Sequence, residues 1–291
     1  MAVERRVRYS EDCDIVARES LVTKENVICN TRYTGNPKAG AVKIPVMGSV
    51  TVKDYNKKNG IDPDEPSQTM ITVTIDHDVA VGELIDGYDQ DSVPGNIAGT
   101  VVERGGFALA EHMDKDALAE IANNGTIDTN VTPLTATTAY ASFVDARTRA
   151  SRAKVPMSGR YAIVTPETYA LILRDDNFIK KGDLSQKLVE TGAVGQIAGF
   201  AIYESTNLPD GVEYVTGHAN WVTRVEEWQE PIDIKEVRDG KHIGAVVMQG
   251  RKIYAHKVTQ SDKFYVKRNK AVSTTPTTPS GGGSGQGGSG S

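Results

Sequence analysis

Val42-Lys-Ile-Pro-Val-Met-Gly-Ser-Val-Thr-Val52 and Thr69-Met-Ile-Thr-Val-Thr-Ile75 are the two stretches on which the reading of this chain turns. In the first, Val42, Ile44, Val46, Val50 and Val52 all fall on even positions, and in the second Thr69, Ile71, Val73 and Ile75 alternate with Met70, Thr72 and Thr74. A period of two is that of a strand, whose successive side chains point to opposite faces. Between them, Asn56 to Ser67 contains Lys57, Lys58, Gly60, Pro63 and Pro66, a mixture that ends a strand and exposes its backbone. The pair therefore reads as a long hairpin with a hydrophilic tip. A strand of about 15 residues rising ~3.3 Å each would span about 50 Å, more than a compact domain needs. Because a two-stranded ribbon is marginal alone, this one is expected to lie on a neighbouring subunit. Tyr55, Lys57, Lys58, Asp62, Asp64 and Glu65 at the tip are the candidate inter-subunit contacts.

After the ribbon a helix is expected, with Ser92 as N-cap, Pro94 in its first turn and Gly125 as its stop. Ile97, Val101, Leu109, Met113 and Ile121 recur at spacings of four or eight and form a one-sided apolar stripe. At 1.5 Å per residue the helix would run about 45 Å, and Gly105 and Gly106 are a candidate bend in its middle. From Thr135 the pattern becomes mixed. Helices are expected over Thr138 to Val155, from Pro166 through Leu173, and over Leu184 to Val189. Strands are expected at Tyr161 to Val164, Phe200 to Tyr203, Glu213 to Thr216, Trp221 to Glu226, Ile243 to Met248 and Lys252 to Thr259, with a turn at Asn207 to Gly211. The fold class is α+β. Residues 1 to 35 read as an extended arm, with weak helical potential at Asp14 to Val22 and a strand-like piece at Val27 to Tyr33. Ser273 to Ser291 is almost entirely Thr, Pro, Gly and Ser and is expected to be disordered, its Gly281 to Ser291 end being either native or an added linker.

Composition narrows the function. The 291 residues are 38% apolar and 24% charged, with 33 basic and 38 acidic residues and a net charge of −5. That balance argues against a surface built to neutralise phosphates throughout. It remains compatible with a container for nucleic acid, since a lining that clings to its contents would hinder their release. Cys13 and Cys29 form neither a zinc motif nor a disulfide framework. The charged start (Glu4, Arg5, Arg6, Arg8) has no apolar run behind it, and no stretch approaches eighteen apolar residues, so a soluble protein made inside the cell is expected.

Candidate chemistry is sparse. Asp76-His77-Asp78 sets an imidazole between carboxylates, but strand neighbours face opposite ways, and a solvated strand end is expected there. His112 follows Glu111, yet position 116 is Asp116, so the two-histidine zinc motif is absent. His218, His242 and His256 share no motif and read as ordinary hydrogen-bonded or exposed residues. Gly192, Gly195 and Gly199 lead into a strand, whereas a phosphate loop leads into a helix. No nucleophile elbow occurs, and no enzyme active site, metal or cofactor is expected. Arg147, Arg149, Arg152 and Lys154 read as a solvated helix face, or else as contacts to a partner subunit or packaged DNA. Trp221 and Trp228 read as core or interface anchors.

Arm, ribbon, long helix, mixed domain and closing strands follow one another in an order that resembles the tailed-bacteriophage major capsid protein fold, shared by encapsulins and herpesvirus capsid floors. Three stretches carry the likeness: Ala39-Gly-Ala-Val-Lys-Ile-Pro-Val-Met-Gly48, Gln196-Ile-Ala-Gly-Phe-Ala-Ile-Tyr-Glu-Ser-Thr-Asn-Leu-Pro209 and Ile243-Gly-Ala-Val-Val-Met-Gln-Gly-Arg-Lys-Ile-Tyr-Ala255. The likeness spans residues 25 to 268. It implies an N-terminal arm (1–37), an extended loop (38–80), a peripheral domain with the spine helix (81–134), an axial domain (135–240), returning peripheral strands (241–270) and a tail (271–291). It also implies a virion subunit, assembled in the bacterial cytoplasm through hexamers and pentamers into an icosahedral shell around double-stranded DNA. A separate scaffolding protein, a portal and a decoration protein are the partners it suggests, with packaged DNA touched weakly and no membrane. An encapsulin shell and a phage tail-tube protein are the alternative readings.

Overall fold

The computed structural model describes residues 28–33, 40–48, 50–88, 97–175, 195–238 and 240–270. The expected arm helix at 14–22, Cys13, the Ser92 cap with Pro94, the helix at 184–189, Gly192 and the tail lie outside them.

The ribbon forms where the alternation placed it. Strand β1 (Ala41–Met47) pairs antiparallel with β2 (Gln68–Thr74), setting Val42 opposite Val73 and Ile44 opposite Ile71. Its apolar face does not wait for a neighbour at this end. Ile44 and Val73 are buried with Val225 and Ala255 of the same chain. The expected strand through Val52, however, stops at Met47. Gly48 N–H donates to the Ser67 carbonyl at 2.9 Å, and residues 50–55 carry no ladder. Past that point Val50 and Val52 meet no core among the described residues.

A strand that the sequence reading did not foresee follows directly. β3 (His77–Ile85) pairs with β10 (Val246–Val258), which also pairs with β9 (Val222–Glu236), making a three-stranded sheet in the order β3-β10-β9. The two strands expected at 243–248 and 252–259 are thus one, running through Gly250. Helix α1 (Ile97–Asn124) lies against this sheet. Val101, Met113 and Ile121 of the stripe are buried, and Gly125 N–H closes the last turn on the Ile121 carbonyl at 2.9 Å.

The second sheet has six strands in the order β4-β11-β8-β5-β7-β6. They are β4 (Thr126–Ile127), β5 (Arg160–Val164), β6 (Gln196–Ile197), β7 (Phe200–Glu204), β8 (Val212–His218) and β11 (Tyr265–Arg268). Two helices pack with it, α2 (Ala139–Arg152) and α3 (Pro166–Leu173). The Thr165 side chain caps α3 by accepting from Thr168 N–H, and Pro166 fills the first turn, where its missing N–H costs nothing. Every residue of β5 is buried. Alternation explains how: Tyr161 and Ile163 face a core shared with Leu118 and Ile121 of α1, while Ala162 and Val164 face one shared with Phe143 of α2 and Ile172 of α3. Residues Ile28 and Cys29 join the first of these cores, where burial pushes the Cys29 thiol up to about 12. Asn30 then holds the chain to β9 by donating from its side chain to the carbonyls of Ala219 (2.9 Å) and Val222 (2.8 Å).

Candidate functional site

The distal ribbon carries apolar side chains that the described residues of its own subunit leave uncovered. Val50 is 92% exposed, Val52 94% and Tyr55 70%. Met47 and Met70, within the ladder, are also more than half exposed. The tip itself is ordered by local polar bonds. Gly60 N–H donates to the Asn56 carbonyl at 2.7 Å with Gly60 at φ +74°, and the Asn56 side-chain oxygen accepts from Lys58 N–H at 2.8 Å. Lys53 crosses the loop, its Nζ 2.5 Å from Asp64 Oδ1 and 2.9 Å from the Asp62 carbonyl. Of the six tip residues singled out from sequence, Asp62 and Asp64 are thereby brought together on Lys53, whereas Tyr55, Lys57, Lys58 and Glu65 stand exposed. Sequence reasoning fixed on charge and passed over Val50 and Val52 as contacts. Their signal was present, since the even-numbered alternation runs on past the point where a turn begins.

The root of the ribbon is polar and crowded. His77 is no solvated strand end, because the pairing of β3 with β10 lays its ring parallel to Tyr254, with centroids 5.2 Å apart. Its Nδ1 is 3.4 Å from Asp116 Oδ2, and His112 Nδ1 lies 3.1 Å from the same oxygen. The Tyr254 hydroxyl donates to that oxygen as well. Asp78, the other acid beside His77, takes a two-pronged contact from Arg251 of β10, which holds its carboxyl below the usual carboxylate range. His256, expected to be an ordinary hydrogen-bonded or exposed residue, is buried and has no hydrogen-bond partner on either ring nitrogen. His218 does match that expectation, accepting from Asn220 N–H at 3.1 Å. Among the described residues, no group of three or more His, Cys, Asp or Glu is arranged to hold a metal ion. No helix among them is long and apolar enough to cross a membrane.

The remaining candidates separate by position. Gly105 is buried where α1 meets the sheet, and a Cβ there would come within 2.8 Å of Met248 Cε. Gly106 has only an ordinary 3.8 Å approach to Ile232. α1 is a single element through both. The cations of α2 do not act as one patch. Arg149, though exposed, lies over the Tyr265 ring, 4.7 Å from its centroid, while Arg147 and Arg152 line an open depression with Val144, Thr148 and Ser151. Trp221 packs against the core beside α1, its ring 5.2 Å edge-on from His218. Gly199, at φ +86°, turns β6 back into β7 and so leads into a strand.

Comparison with solved structures gives the fold a wider setting. A structure from Mycobacterium phage Che8 superposes with a TM-score of 0.75 at 23% identity, covering 91% of this chain and 97% of that one. The capsid of the cyanophage P-SCSP1u gives 0.70 at 14% identity over 90% and 91% of the two chains. The mature capsid of bacteriophage PhiM1 gives 0.68 at 14% over 91% and 92%. These likenesses identify the α+β architecture as the tailed-phage capsid fold. No curated protein matches the sequence. The sequence model of the phage capsid protein family matches residues 83–268, which include α1, the strands from β4 to β11 and the last three residues of β3. The chain belongs to the phage capsid protein family, and it is a capsid-shell subunit of the virion.

Proposed function

We propose that this subunit builds an icosahedral shell through hexamers and pentamers, that the shell encloses double-stranded DNA, and that the distal ribbon of each copy lies across an adjacent copy. The observation that carries the reading is the contrast within the ribbon. Its base is fixed by Ile44 and Val73 in a core of its own subunit, while Val50 and Val52 beyond it are more than nine-tenths exposed. A fixed base aims the ribbon, and the uncovered valines supply surface for a neighbour to bury. The same outer surfaces must meet at slightly different angles in five-fold and six-fold rings. A rigid pair of sheets with an outlying ribbon suits that demand.

In this reading residues 38–80 are the extended loop, 81–134 and 241–270 the peripheral domain, and 135–240 the axial domain, with Gly105 and Gly106 a point where the spine helix adjusts. Tyr55, Lys57, Lys58, Asp62, Asp64 and Glu65 make the tip contacts, joined by Val50 and Val52. The role is structural and not catalytic. Assembly takes place in the bacterial cytoplasm with a separate scaffolding protein, a portal and a decoration protein. The net charge of −5 favours weak, non-specific contact with the packaged DNA. Electron microscopy of particles purified from infected cells, with nuclease-resistant nucleic acid measured in the same fractions, tests this. Closed icosahedral particles containing DNA are expected. Stacked hollow rods, or particles that hold protein cargo and no nucleic acid, would overturn it.

A further inference from the structure

Three of the chain's five histidines meet at the root of the ribbon, His77 at the start of β3, His112 on α1 and His256 on β10. His256 is the unusual one. Only 7% of it is exposed, and neither ring nitrogen has a hydrogen-bond partner, a rare condition for a buried polar group. It borders a cavity of about 360 Å³ whose other walls include Thr72 and Thr74 of β2, Asp116 and Glu120 of α1, and Lys257. The cavity therefore lies where ribbon, helix and sheet come together.

We propose that this joint is a proton-sensitive hinge, in which uptake of one proton by His256 loosens the root of the ribbon from α1 and β10. The hinge depends on what faces the imidazole and not on how copies assemble. Arg224 of β9 stands opposite it in register, Lys252 and Lys257 lie on its own strand, and His77 approaches from β3. The balancing carboxylates are already engaged. Asp116 takes Tyr254, His77 and His112, and Glu120 sits 3.3 Å from Lys257 Nζ while accepting from Val258 N–H. Glu226 holds both Arg224 and Lys252, each at 3.1 Å, and Asp76 lies 3.6 Å from His77 Nε2. β2 presents only the hydroxyls of Thr72 and Thr74. Among the described residues no carboxylate bonds either ring nitrogen of His256, while Arg224 and Lys252 oppose a charge there, so the proton is accepted when the ring reaches water.

The direction of the effect follows from the same surroundings. Burial, then Arg224, His77 and Lys252, hold the His256 pKa down to about 3. The closed joint therefore has its full stability above the ordinary histidine value near 6.5 and loses it as pH falls from there toward 3. Between pH 8 and pH 5 the constant for opening rises roughly 30-fold, the tenfold-per-unit response over about one and a half units.

Hydrogen exchange of the full unassembled chain reads this directly. Peptides covering residues 70–76 and 252–258 would be followed at both pH values, with rates corrected for intrinsic exchange. Protection is expected to fall about 30-fold at pH 5 in the wild type. It should stay level in both His256→Gln and His256→Phe, and still fall in a His77→Asn/His112→Asn double variant. Constant protection in the wild type would overturn the proposal. So would a fall that persists in the two His256 variants, or one that vanishes with His77 and His112.

Discussion

Among single residues, the most demanding position in the six-stranded sheet is Lys267, 3% exposed, with its Nζ 3.3 Å from Asp128 Oδ2 and bonded to the Asn130 carbonyl. Burial works against charge on Asp128, but hydrogen bonds from Tyr265, from the Asn130 backbone and from Lys267 more than offset it and hold that carboxyl below its usual range. Lys267→Met leaves the Asp128 carboxylate without its amine and should cost about 3–5 kcal/mol, read as a lower urea midpoint of the unassembled chain at pH 7. The Asp128 contribution is complete above the ordinary carboxylate range and disappears as pH falls through its lowered value, so the gap between variant and wild type should narrow in acid. A gap that is constant with pH would mean the loss came from packing alone. Gly217 tests the core from the other side. A Cβ there would sit 2.4 Å from Phe264 Cδ1 and 3.1 Å from the Tyr161 hydroxyl, so Gly217→Ala should cost about 1–3 kcal/mol by the same measurement. Neither residue announces itself in sequence. Lys267 lies between Val266 and Arg268 in a stretch for which no strand was expected, and its partner is far away in the chain.

The elements were more legible, and the failures have a common cause. Alternation placed β1 and β2, and the i, i+4 stripe placed α1, because each pattern is complete within one stretch of chain. β3 was missed because His77 to Ile85 follows the ribbon without a break and owes its existence to β10, whose nearest paired residue is over 160 positions away. β10 was split in two because Gly250 interrupts its apolar run. The joint at the ribbon root was invisible for the same reason, since His77, Asp116, Tyr254 and His256 are assembled only by that long-range pairing. Two predictions belong at this level. Deleting residues 56–66 removes the tip but leaves Ile44 and Val73 in their core, so the subunit should stay soluble and folded while shells fail to form; normal shells would remove the ribbon from the assembly argument. Gly106→Ala has room and should stabilise α1 by about 0.5–1 kcal/mol, whereas Gly105→Ala must displace Met248 and should give up that gain. Should both variants be stabilised equally and yield altered particles, bending rather than packing explains the glycine pair.

For the whole molecule, the question is how a subunit with one outlying ribbon yields a durable shell from contacts that are individually modest. Burying a valine is worth about 1.5 kcal/mol or more, so covering Val50 and Val52 contributes only a few kcal/mol per ribbon. In the proposed closed lattice each copy would both give and receive such a contact, and the repeated terms would add up across the particle. The arrangement has a sharp consequence, because changes too small to register in the subunit should be decisive in the shell. A Val50→Asp/Val52→Asp double variant places charge where side chains are 92% and 94% exposed, so its circular dichroism and urea midpoint should match the wild type within about 0.5 kcal/mol. Across the interface, the same two carboxylates would have to be stripped of water against apolar surface, a cost of several kcal/mol per contact. Particle yield by sedimentation and electron microscopy should therefore fall at least tenfold with no loss of folded subunit. Wild-type yields from this variant would show that the distal ribbon stays in water after assembly, and the burial on which the proposed architecture depends would have to be sought on another face.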